Sequence, residues 1–329
     1  MIISRTPTRV SFFGGGTDYP EWYRDHSGAV ISSSINKYNY ITVRELPPYF
    51  NFKHRIRYYD HEEVNNISEI KHPSVRECAK FLSVETGLEV VHNGDIPSRS
   101  GIGSSSSFTV GMLNAIYAMQ NRMPTKRELA ENAIHVEQNL IQENVGSQDQ
   151  IAVSFGGFNY IRFNKNLGFE VEPIIISDSR LLNLQSHLML CFTGFSRTAS
   201  EIAKNQILSI RSNSKILSQM SQITTDALTV LLNENTDIRQ FGELLNFQWA
   251  LKKQLDKSVS NIQIDEIYEK SLANGAIGGK LLGAGAGGFM LIFAEPDKHS
   301  KIKNALFDKL FVPFKFEFSG SSIIYISRD

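Results

Sequence analysis

Cysteine is scarce in this chain, which has only Cys78 and Cys191 among its 329 residues. The two lie far apart and in no paired spacing, so neither a disulfide framework nor a zinc site is expected. An excess of charge of one sign is also lacking, because 34 basic and 34 acidic side chains cancel. A neutral total gives no reason to expect nucleic acid or an anionic membrane as a partner.

Long apolar runs are missing as well. No window approaches the roughly 18 consecutive apolar residues that a membrane helix needs. The first residues, from Met1 to Arg5, lack the apolar stretch and the small-residue cleavage site of a secretion signal. We therefore expect a cytoplasmic protein that contacts neither a membrane nor nucleic acid.

The residues that are present predict a folded chain of mixed helices and strands. Hydrophobic residues make up 41% of the chain and charged residues 21%, which is ordinary for a globular protein. Strands dominate the first part, and helices and strands then alternate without a regular βαβ pattern, which favours an α+β fold. The length suffices for two lobes, which we predict as residues 1–178 and 179–329, with the boundary near Asp178.

Apolar periodicity predicts several long helices. One is expected from Pro73 to Thr86, a second from Pro124 to Gln142, and a third as one long helix from about Ser200 to Leu231. The apolar run Phe289–Ala294 is expected to form a strand.

The first of three glycine-rich segments runs from Asn93 to Ser107, with four consecutive serines after Gly101-Ile102-Gly103. Glycine lets the backbone approach a ligand at positive φ. The predicted helix that follows offers free N–H groups and a partial positive charge to phosphate. One serine would serve as an ordinary helix cap, whereas four exceed that need. The segment therefore favours phosphate binding, and its hydroxyls could also complete a magnesium shell.

The second segment, Gly278–Gly288, contains Gly283, Gly285 and Gly288 in the spacing GxGxxG. In dinucleotide-binding proteins this pattern leaves a strand, opens a helix and is followed by an acidic residue about 20 positions on. Here the glycines lead into an apolar run that is typical of a strand, so an NAD(P)-binding oxidoreductase is the weaker interpretation. Gly279-Lys280 is followed by leucine, so the segment is not a P-loop either.

The third segment leaves the first strand and contains Arg9 and then Gly14-Gly15-Gly16-Thr17-Asp18. The glycines alone could form a tight turn. A cation, a carboxylate and close-approach glycines together are what a polyhydroxylated ligand requires, so a binding site is the favoured interpretation. A fourth cluster, from Glu137 to Asp149, carries acids on a predicted helix, where a solvated surface is the commoner role.

Taken together and in this order, the segments resemble the GHMP kinases, the superfamily of galactokinase, homoserine kinase, mevalonate kinase and phosphomevalonate kinase. The resemblance covers nearly the whole chain. It implies a two-lobed α+β fold, with an N-terminal mixed α/β lobe and a ferredoxin-like C-terminal lobe. It also implies phosphoryl transfer from ATP, with Mg²⁺, to a hydroxyl group of a small molecule.

The resemblance implies a role for each site residue. Asp149 matches the catalytic base, and Arg9 matches the cation that steadies this aspartate and the reacting hydroxyl. Ser105 and Glu137 match the magnesium ligands, and Asp18 matches the sugar-binding aspartate. The nucleotide is expected to bind at Pro97, Gly101, Gly103, Ser104, Ser105, Ser106 and Ser107.

The first motif departs from that of galactokinases, which carry Gly-Glu-His-Thr-Asp-Tyr where this chain has three glycines before Thr-Asp-Tyr. The missing carboxylate and imidazole open space and remove negative charge, so we expect a longer substrate that ends in phosphate. This variant resembles the D-glycero-D-manno-heptose 7-phosphate kinase branch, which phosphorylates the anomeric hydroxyl; a fucokinase-like sugar 1-kinase is the alternative. The residues predicted to bind substrate are Gly14, Gly15, Gly16, Thr17, Asp18, Arg99, Arg197, Lys280, Gly283 and Gly285. A homodimer is left open.

Overall fold

Two long strands at the start of the chain carry the fold. The computed structural model describes residues 1–166, 168–195 and 199–327. Within them, β1 (Ile2–Phe13) and β2 (Gly28–Glu45) pair antiparallel along almost their whole length. Their β-branched and aromatic residues suit a pleated, largely buried surface.

The other elements follow in chain order. The strands are β3 (His54–Arg57), β4 (His61–Val64), β5 (Leu88–Gly94), β6 (Phe158–Phe163), β7 (Phe169–Pro173), β8 (Leu188–Phe192), β9 (Ala276–Leu281), β10 (Phe289–Ala294), β11 (Leu310–Phe311) and β12 (Ser322–Ile326). The helices are α1 (Pro20–His26), α2 (Pro73–Phe81), α3 (Ser104–Met119), α4 (Lys126–His135), α5 (Gln148–Phe155), α6 (Asp178–Ser186), α7 (Ala199–Leu208), α8 (Ser214–Leu232), α9 (Arg239–Leu255), α10 (Ile262–Ala273) and α11 (His299–Ala305).

The larger sheet contains eight of the described strands, in the order β12-β1-β2-β5-β3-β4, with β6 pairing to β2 and β7. Its neighbours are antiparallel except β3 and β5, which are parallel. Helix α3 packs on β1 and β2, and every residue from Phe108 to Tyr117 is buried. A helix that is covered on nearly all sides belongs to the core, so the start of α3 is held rigidly.

The smaller sheet has four antiparallel strands in the order β11-β8-β10-β9. Helices α9 and α10 pack on β9. A Cβ atom added at Gly278 of β9 would lie 2.0 Å from the carbonyl oxygen of Gly242 on α9. This backbone-to-backbone approach fixes α9 against the sheet, and the two sheets with their helices confirm the predicted α+β class.

The C-terminal strand returns to the larger sheet. Strand β12 pairs antiparallel with β1, with Ile326 opposite Ile2. The predicted boundary at Asp178 coincides with the start of α6. The division into 1–178 and 179–329 stays a prediction, and residues 322–326 of its second part lie in the sheet formed by the first.

The predicted long helix from Ser200 to Leu231 is wrong in one respect, because the chain forms two helices, α7 and α8, instead of one. Near the break, the Ser209 hydroxyl donates to the Asn205 carbonyl oxygen at 2.8 Å and accepts from Asn213 Nδ2 at 3.2 Å. Serine and asparagine compete in this way with the helical hydrogen bonds of the backbone. No helix among the described residues is long and apolar enough to cross a membrane.

Two other predicted helices end early. The helix that begins at Pro73 stops at Phe81, short of Thr86. The segment predicted as a helix to Gln142 is α-helical only to His135 and continues as a π-helical turn, Val136–Leu140. Such turns are rare and often occur at functional sites, and this one carries Glu137.

Candidate active site

The Asp149 carboxylate is held by the guanidinium group of Arg9. Asp149 lies in the first turn of α5, and Arg9 lies on β1 with only 3% of its side chain exposed. Arg9 Nε donates to Asp149 Oδ1 at 2.7 Å, and Nη2 donates to Oδ2 at 2.6 Å. This two-point fork fixes the plane of the carboxylate, which remains 23% exposed and so can still meet a substrate.

The serine-rich loop lies beside this pair. Arg9 Nη1 donates to the Gly101 carbonyl oxygen at 2.8 Å, and the Arg9 backbone N–H donates to the Ile102 carbonyl at 2.9 Å. Gly103 precedes α3 with φ of +72°, and a Cβ atom there would lie 3.3 Å from Asp149 Oδ2. The free N–H groups at the start of α3 can bind phosphate, so an anion there would adjoin the Asp149 carboxylate.

The C-terminal glycine segment supports the serine-rich loop from behind. A Cβ atom at Gly283 would lie 2.6 Å from Gly101 Cα, and one at Gly285 would lie 2.7 Å from Val259 Cα. The Phe289 N–H donates to the Ser100 carbonyl at 3.1 Å. Gly283 and Gly285, predicted to bind substrate, therefore allow backbone segments to pack closely. The segment opens β10 and no helix, which contradicts the dinucleotide-binding alternative.

Asp18 lies within the same group of loops. Its side chain is 2% exposed, and its carboxylate accepts from the Gly16 N–H and from Gln148 Nε2, both at 2.9 Å. Burial raises the pKa of Asp18, and the nearby charge of Asp149 raises it further. The Ser147 N–H also donates to the Asp18 carbonyl at 2.9 Å, so the loop of Asp18 is hydrogen-bonded to the start of α5 through both its backbone and its side chain.

The three glycines of the first motif differ in their surroundings. A Cβ atom at Gly14 would lie 1.9 Å from the Ala29 carbonyl oxygen, and Gly16 has φ of +104°, so neither accepts a side chain readily. A Cβ atom at Gly15 would meet only Gln148 Nε2, at 3.7 Å. The space predicted at this motif is therefore found in front of Gly15.

Two residues that were predicted to bind ligands place their hydroxyl groups against backbone carbonyl oxygens. The buried Thr17 Oγ1 lies within hydrogen-bond distance of the carbonyl oxygens of Gly14, at 2.8 Å, and Ala29, at 3.0 Å, which share its one proton. The buried Ser107 Oγ donates to the Thr6 carbonyl at 3.1 Å. In the structure Thr17 shapes the glycine turn and Ser107 anchors α3 on β1, and their predicted ligand contacts stay predictions.

Glu137 is a buried carboxylate with one unsatisfied oxygen. Its side chain is 1% exposed, and Oε2 accepts from Ser106 Oγ at 2.8 Å and also from Gln150 Nε2. Glu137 Oε1 is buried and has no hydrogen-bond partner among the described residues. Burial, followed by the charge of Glu143, raises the pKa of Glu137 to about 7. A buried carboxylate with a vacant oxygen is suited to a hard cation.

The other predicted ligands of the nucleotide and metal are distributed along the same loop. Ser105 is exposed at the start of α3, so Ser106 and not Ser105 contacts Glu137. Ser104 is buried, and its carbonyl oxygen accepts from Asn39 Nδ2 at 3.1 Å. Pro97 is exposed. A cation beside Glu137 Oε1 would lie near hydroxyl groups of the kind that magnesium accepts.

Comparison with known proteins agrees with this geometry. A sequence profile described as the GHMP kinases N terminal domain matches residues 73–157, and one described as GHMP kinases C terminal matches residues 228–312. Together they span just over half of the chain. The chain belongs to the GHMP kinase family. It is therefore a phosphotransferase, and ATP is the donor that this family uses.

Similar proteins include several sugar kinases. D-glycero-alpha-D-manno-heptose 7-phosphate kinase of Campylobacter jejuni is 29% identical over 93% of each chain. The bifunctional fucokinase/GDP-fucose pyrophosphorylase of Arabidopsis thaliana is 24% identical over 90% of this chain, which spans 30% of that protein. The crystal structure of a D-glycero-D-manno-heptose 1-phosphate kinase from Bacteroides thetaiotaomicron gives a TM-score of 0.82 over 100% of both chains at 23% identity, which shows a shared fold.

The basic residues predicted to bind the substrate differ in burial. Lys280 is 2% exposed, and its Nζ donates to the carbonyl oxygens of Ser11 and Phe12, both at 2.9 Å. It joins β9 to β1 as a buried cation, and its predicted contact with a substrate phosphate stays a prediction. Arg99 is exposed on the serine-rich loop with φ of +60°, and its charge acts on Glu143. Arg197 lies outside the described residues.

Lys252 of this GHMP kinase was missed by sequence reasoning. It lies on α9, is 5% exposed, and donates from Nζ to the carbonyl oxygens of Leu281, at 3.1 Å, and Gly283. It thereby ties α9 to the C-terminal glycine segment, which supports the serine-rich loop. Burial, followed by the positive charge of Arg9, lowers the pKa of Lys252 from 10.5 to about 7.

We expect Lys252→Met to flatten the dependence of folding stability on pH. Because the folded-state pKa is lowered, the unfolded chain binds more protons than the folded one between about pH 7 and 10.5. The free energy of unfolding therefore rises with pH across this window, by up to about 1.4 kcal/mol per pH unit. The methionine variant loses this contribution, and the contribution of Lys280, whose pKa is also lowered by burial, remains. Denaturant unfolding over a pH series measures the slope.

The control for this experiment is the adjacent residue on the same helix. Lys253 is 38% exposed in an ion pair with Asp265, so Lys253→Met should leave the slope as in the unmodified protein. Equal slopes for Lys252→Met and the unmodified protein would mean that Lys252 keeps its ordinary pKa.

Proposed function

We propose that this GHMP kinase transfers the γ-phosphoryl group of ATP to the anomeric hydroxyl of D-glycero-D-manno-heptose 7-phosphate. The products would be the 1,7-bisphosphate and ADP, and the bisphosphate would feed the synthesis of nucleotide-activated heptose for surface polysaccharide. The observation that carries the proposal is the Asp149 carboxylate, held by Arg9 within reach of the N-terminus of α3.

The arrangement suits phosphoryl transfer to a hydroxyl. The N-terminus of α3 would hold the phosphates of ATP, and Asp149 would orient the attacking hydroxyl and accept its proton as the new P–O bond forms and the bond to ADP breaks. Arg9 keeps the carboxylate in one plane. Mg²⁺, held by Glu137 and a serine hydroxyl of the loop, would supply neutralisation of charge on the moving phosphoryl group.

The substrate is inferred from the first motif. The Asp18 carboxylate accepts from Gln148, the residue that precedes Asp149 in sequence, and the charge of Asp149 acts on it, so hydroxyls of a sugar placed at Asp149 can reach Asp18. The space in front of Gly15 leaves room at the far end of such a sugar, where galactokinases carry a glutamate. The relative from Campylobacter jejuni, a heptose 7-phosphate kinase, supports a substrate with a phosphate at that end.

The proposal is tested by ADP release with ATP and Mg²⁺ against D-glycero-D-manno-heptose 7-phosphate, fucose, galactose and mannose. We expect turnover on the heptose phosphate and a new anomeric phosphate signal in the NMR spectrum of the product. Turnover on fucose instead would favour the second candidate, a fucokinase-like enzyme, for which the Arabidopsis thaliana relative is the precedent. No turnover on any of the four sugars would contradict the proposed substrate and send the substrate question back to the wider GHMP family.

A matched variant tests the space at the first motif separately. Gly15 has an ordinary backbone conformation, so Gly15→Glu introduces the galactokinase side chain without backbone strain. Its negative charge should raise KM for the heptose phosphate about tenfold or more by like-charge repulsion, and KM for ATP should stay unchanged. An unchanged KM for the heptose phosphate would place its phosphate elsewhere.

A further inference from the structure

The C-terminal glycine segment lacks large side chains that could hold it in place. Its residues from Gly283 to Gly288 are only glycine and alanine, and φ is positive at Gly283, Gly285, Ala286 and Gly288. Glycine loses more conformational freedom on folding than any other residue. The conformation of this segment therefore depends on the groups that bind its backbone.

Two buried side chains from different helices bind carbonyl oxygens of this segment. Lys252 of α9 donates from Nζ to the carbonyl oxygens of Leu281, at 3.1 Å, and Gly283. Gln206 of α7 donates from Nε2 to the Ala284 carbonyl oxygen at 2.8 Å. Lys252 is 5% exposed and Gln206 is 6% exposed, so water competes little for these hydrogen bonds. We call Lys252 and Gln206 the clamp.

The clamp holds the segment where it meets the serine-rich loop. A Cβ atom at Gly101 would lie 2.5 Å from the Leu282 carbonyl oxygen, and one at Gly288 would lie 2.3 Å from the Ser100 carbonyl oxygen. Closely packed backbones transmit a displacement because there is little free volume between them. A shift of the segment would therefore move Gly101, which stands two positions before Gly103 and the start of α3.

A charged anchor at this place is costly. Removing an ammonium group from water costs free energy that carbonyl oxygens offset only in part. An apolar side chain would fill the same space without this cost, but it would take away the hydrogen bonds that Lys252 gives to Leu281 and Gly283. The position of Lys252 is thus explained by the backbone that it holds.

We propose that Lys252 and Gln206 are positioning residues for the phosphates of ATP. By holding the C-terminal glycine segment against Gly101, the clamp keeps the serine-rich loop and the start of α3 in the arrangement that binds the nucleotide. Both residues act through this loop and not by contact with the substrates. The inference rests on the proposed function, which places the phosphates of ATP at the start of α3.

The test is the affinity of the full chain for ATP with Mg²⁺, measured by displacement of the fluorescent analogue mant-ATP. We expect Lys252→Met to weaken ATP binding about tenfold, because two hydrogen bonds from a charged donor are lost. Gln206→Leu removes one neutral hydrogen bond and should weaken ATP binding about threefold. It also keeps the test available if Lys252→Met does not fold. In the turnover assay KM for ATP should rise by the same factors, whereas KM for D-glycero-D-manno-heptose 7-phosphate stays unchanged.

The matched control is another buried cation that binds two backbone carbonyl oxygens. Arg180 of α6 is 6% exposed and donates to the carbonyl oxygens of Thr236, at 2.7 Å, and Val230, at 2.6 Å. It holds the end of α8 instead of the glycine segment. Arg180→Met should therefore lower thermal stability and leave the affinity for ATP as in the unmodified protein.

The outcomes separate the clamp from the proposed function. Unchanged ATP affinity in Lys252→Met would overturn the role of Lys252, unchanged affinity in Gln206→Leu would overturn that of Gln206, and either result leaves the proposed function intact. Weakening in Arg180→Met as large as in Lys252→Met would also overturn the clamp, since general destabilisation would then explain the effect. So would equal rises in KM for ATP and for the heptose phosphate. Failure of the unmodified protein to bind ATP would instead contradict the proposed function and the clamp with it.

Discussion

Asp149→Asn should reduce kcat by about 10²–10⁴-fold, the usual contribution of a positioned proton acceptor. The amide keeps the shape of the side chain but loses its charge and one of the two oxygens that accept from Arg9. The helix start at α3 does not depend on that charge, and neither does the packing of Gly283 against the serine-rich loop. Binding of ATP should therefore persist. Steady-state kinetics and nucleotide affinity measure the two effects separately.

A matched control for Asp149→Asn is available on α8. Asp226 is exposed and its Oδ1 accepts a hydrogen bond from Gln222 at 2.9 Å, so Asp226→Asn should leave kcat and ATP affinity as they are. Near-normal turnover in Asp149→Asn would remove Asp149 from the mechanism. Loss of ATP affinity together with turnover would mean that the carboxylate stabilises the phosphate loop instead.

The geometry bears on whether Asp149 orients the hydroxyl or deprotonates it. Both carboxylate oxygens accept from Arg9, which fixes the direction of the carboxylate. The transition state of phosphoryl transfer is loose and demands little early deprotonation of the attacking group. A carboxylate held in this manner is well suited to orient the hydroxyl first and to take its proton late.

The sequence predicted best those features that depend on neighbouring residues. The serine-rich segment and the helix after it follow from Gly101, Gly103 and the four serines, because the turn and the helix start lie within a few positions. The strand after Gly288 was predicted from its own apolar run, and the structure places β10 there. Local signals of this kind are fixed by backbone preferences and by periodicity.

Contacts between distant residues could not be obtained in this way. Arg9 and Asp149 are 140 positions apart, and the resemblance to a family, not their spacing, paired them. Lys252 stands next to Lys253 on one helix, and nothing local shows that the first is buried against Leu281 and Gly283 while the second is exposed. The sequence shows which residues carry hydroxyl and ammonium groups, but the packing of the folded chain determines their hydrogen-bond partners.

The same limit applies to Thr17 and Lys280, whose hydrogen-bond partners the sequence did not reveal. Thr17 and Lys280 have side chains of the type that bind sugars and phosphates, yet both donate to backbone carbonyl oxygens. A buried carbonyl must find a donor, and these two side chains supply it. The π-helical turn at Glu137 was missed for another reason: it inserts one residue into a helix whose apolar pattern reads as continuous.

The second large effect is expected for Arg9→Lys. Arginine presents a planar fork that reaches both oxygens of Asp149 and also the Gly101 carbonyl, whereas lysine offers a single point charge on a flexible stem. The positive charge at position 9 is kept, but the Asp149 carboxylate is free to rotate. The serine-rich loop also loses the hydrogen bond to the Gly101 carbonyl oxygen. Misplacement of a reacting group by about 1 Å can cost about 10²-fold in rate, and we expect kcat to fall by about that factor. Arg24→Lys, an exposed change near the end of α1, is the control.

A double-mutant cycle separates positioning of Asp149 from a general loss of structure. If Arg9 acts through Asp149, the variant Arg9→Lys with Asp149→Asn should be little slower than Asp149→Asn alone, because residues that act as a unit are not additive. Thermal unfolding of each variant reports any loss of fold. Multiplied losses in the double variant would contradict the coupling and would assign Arg9 a separate contact with the phosphoryl group or the substrate. If kcat of the double variant is close to that of Asp149→Asn alone, the two hydrogen bonds from Arg9 to Asp149 are what position the carboxylate for the attacking hydroxyl.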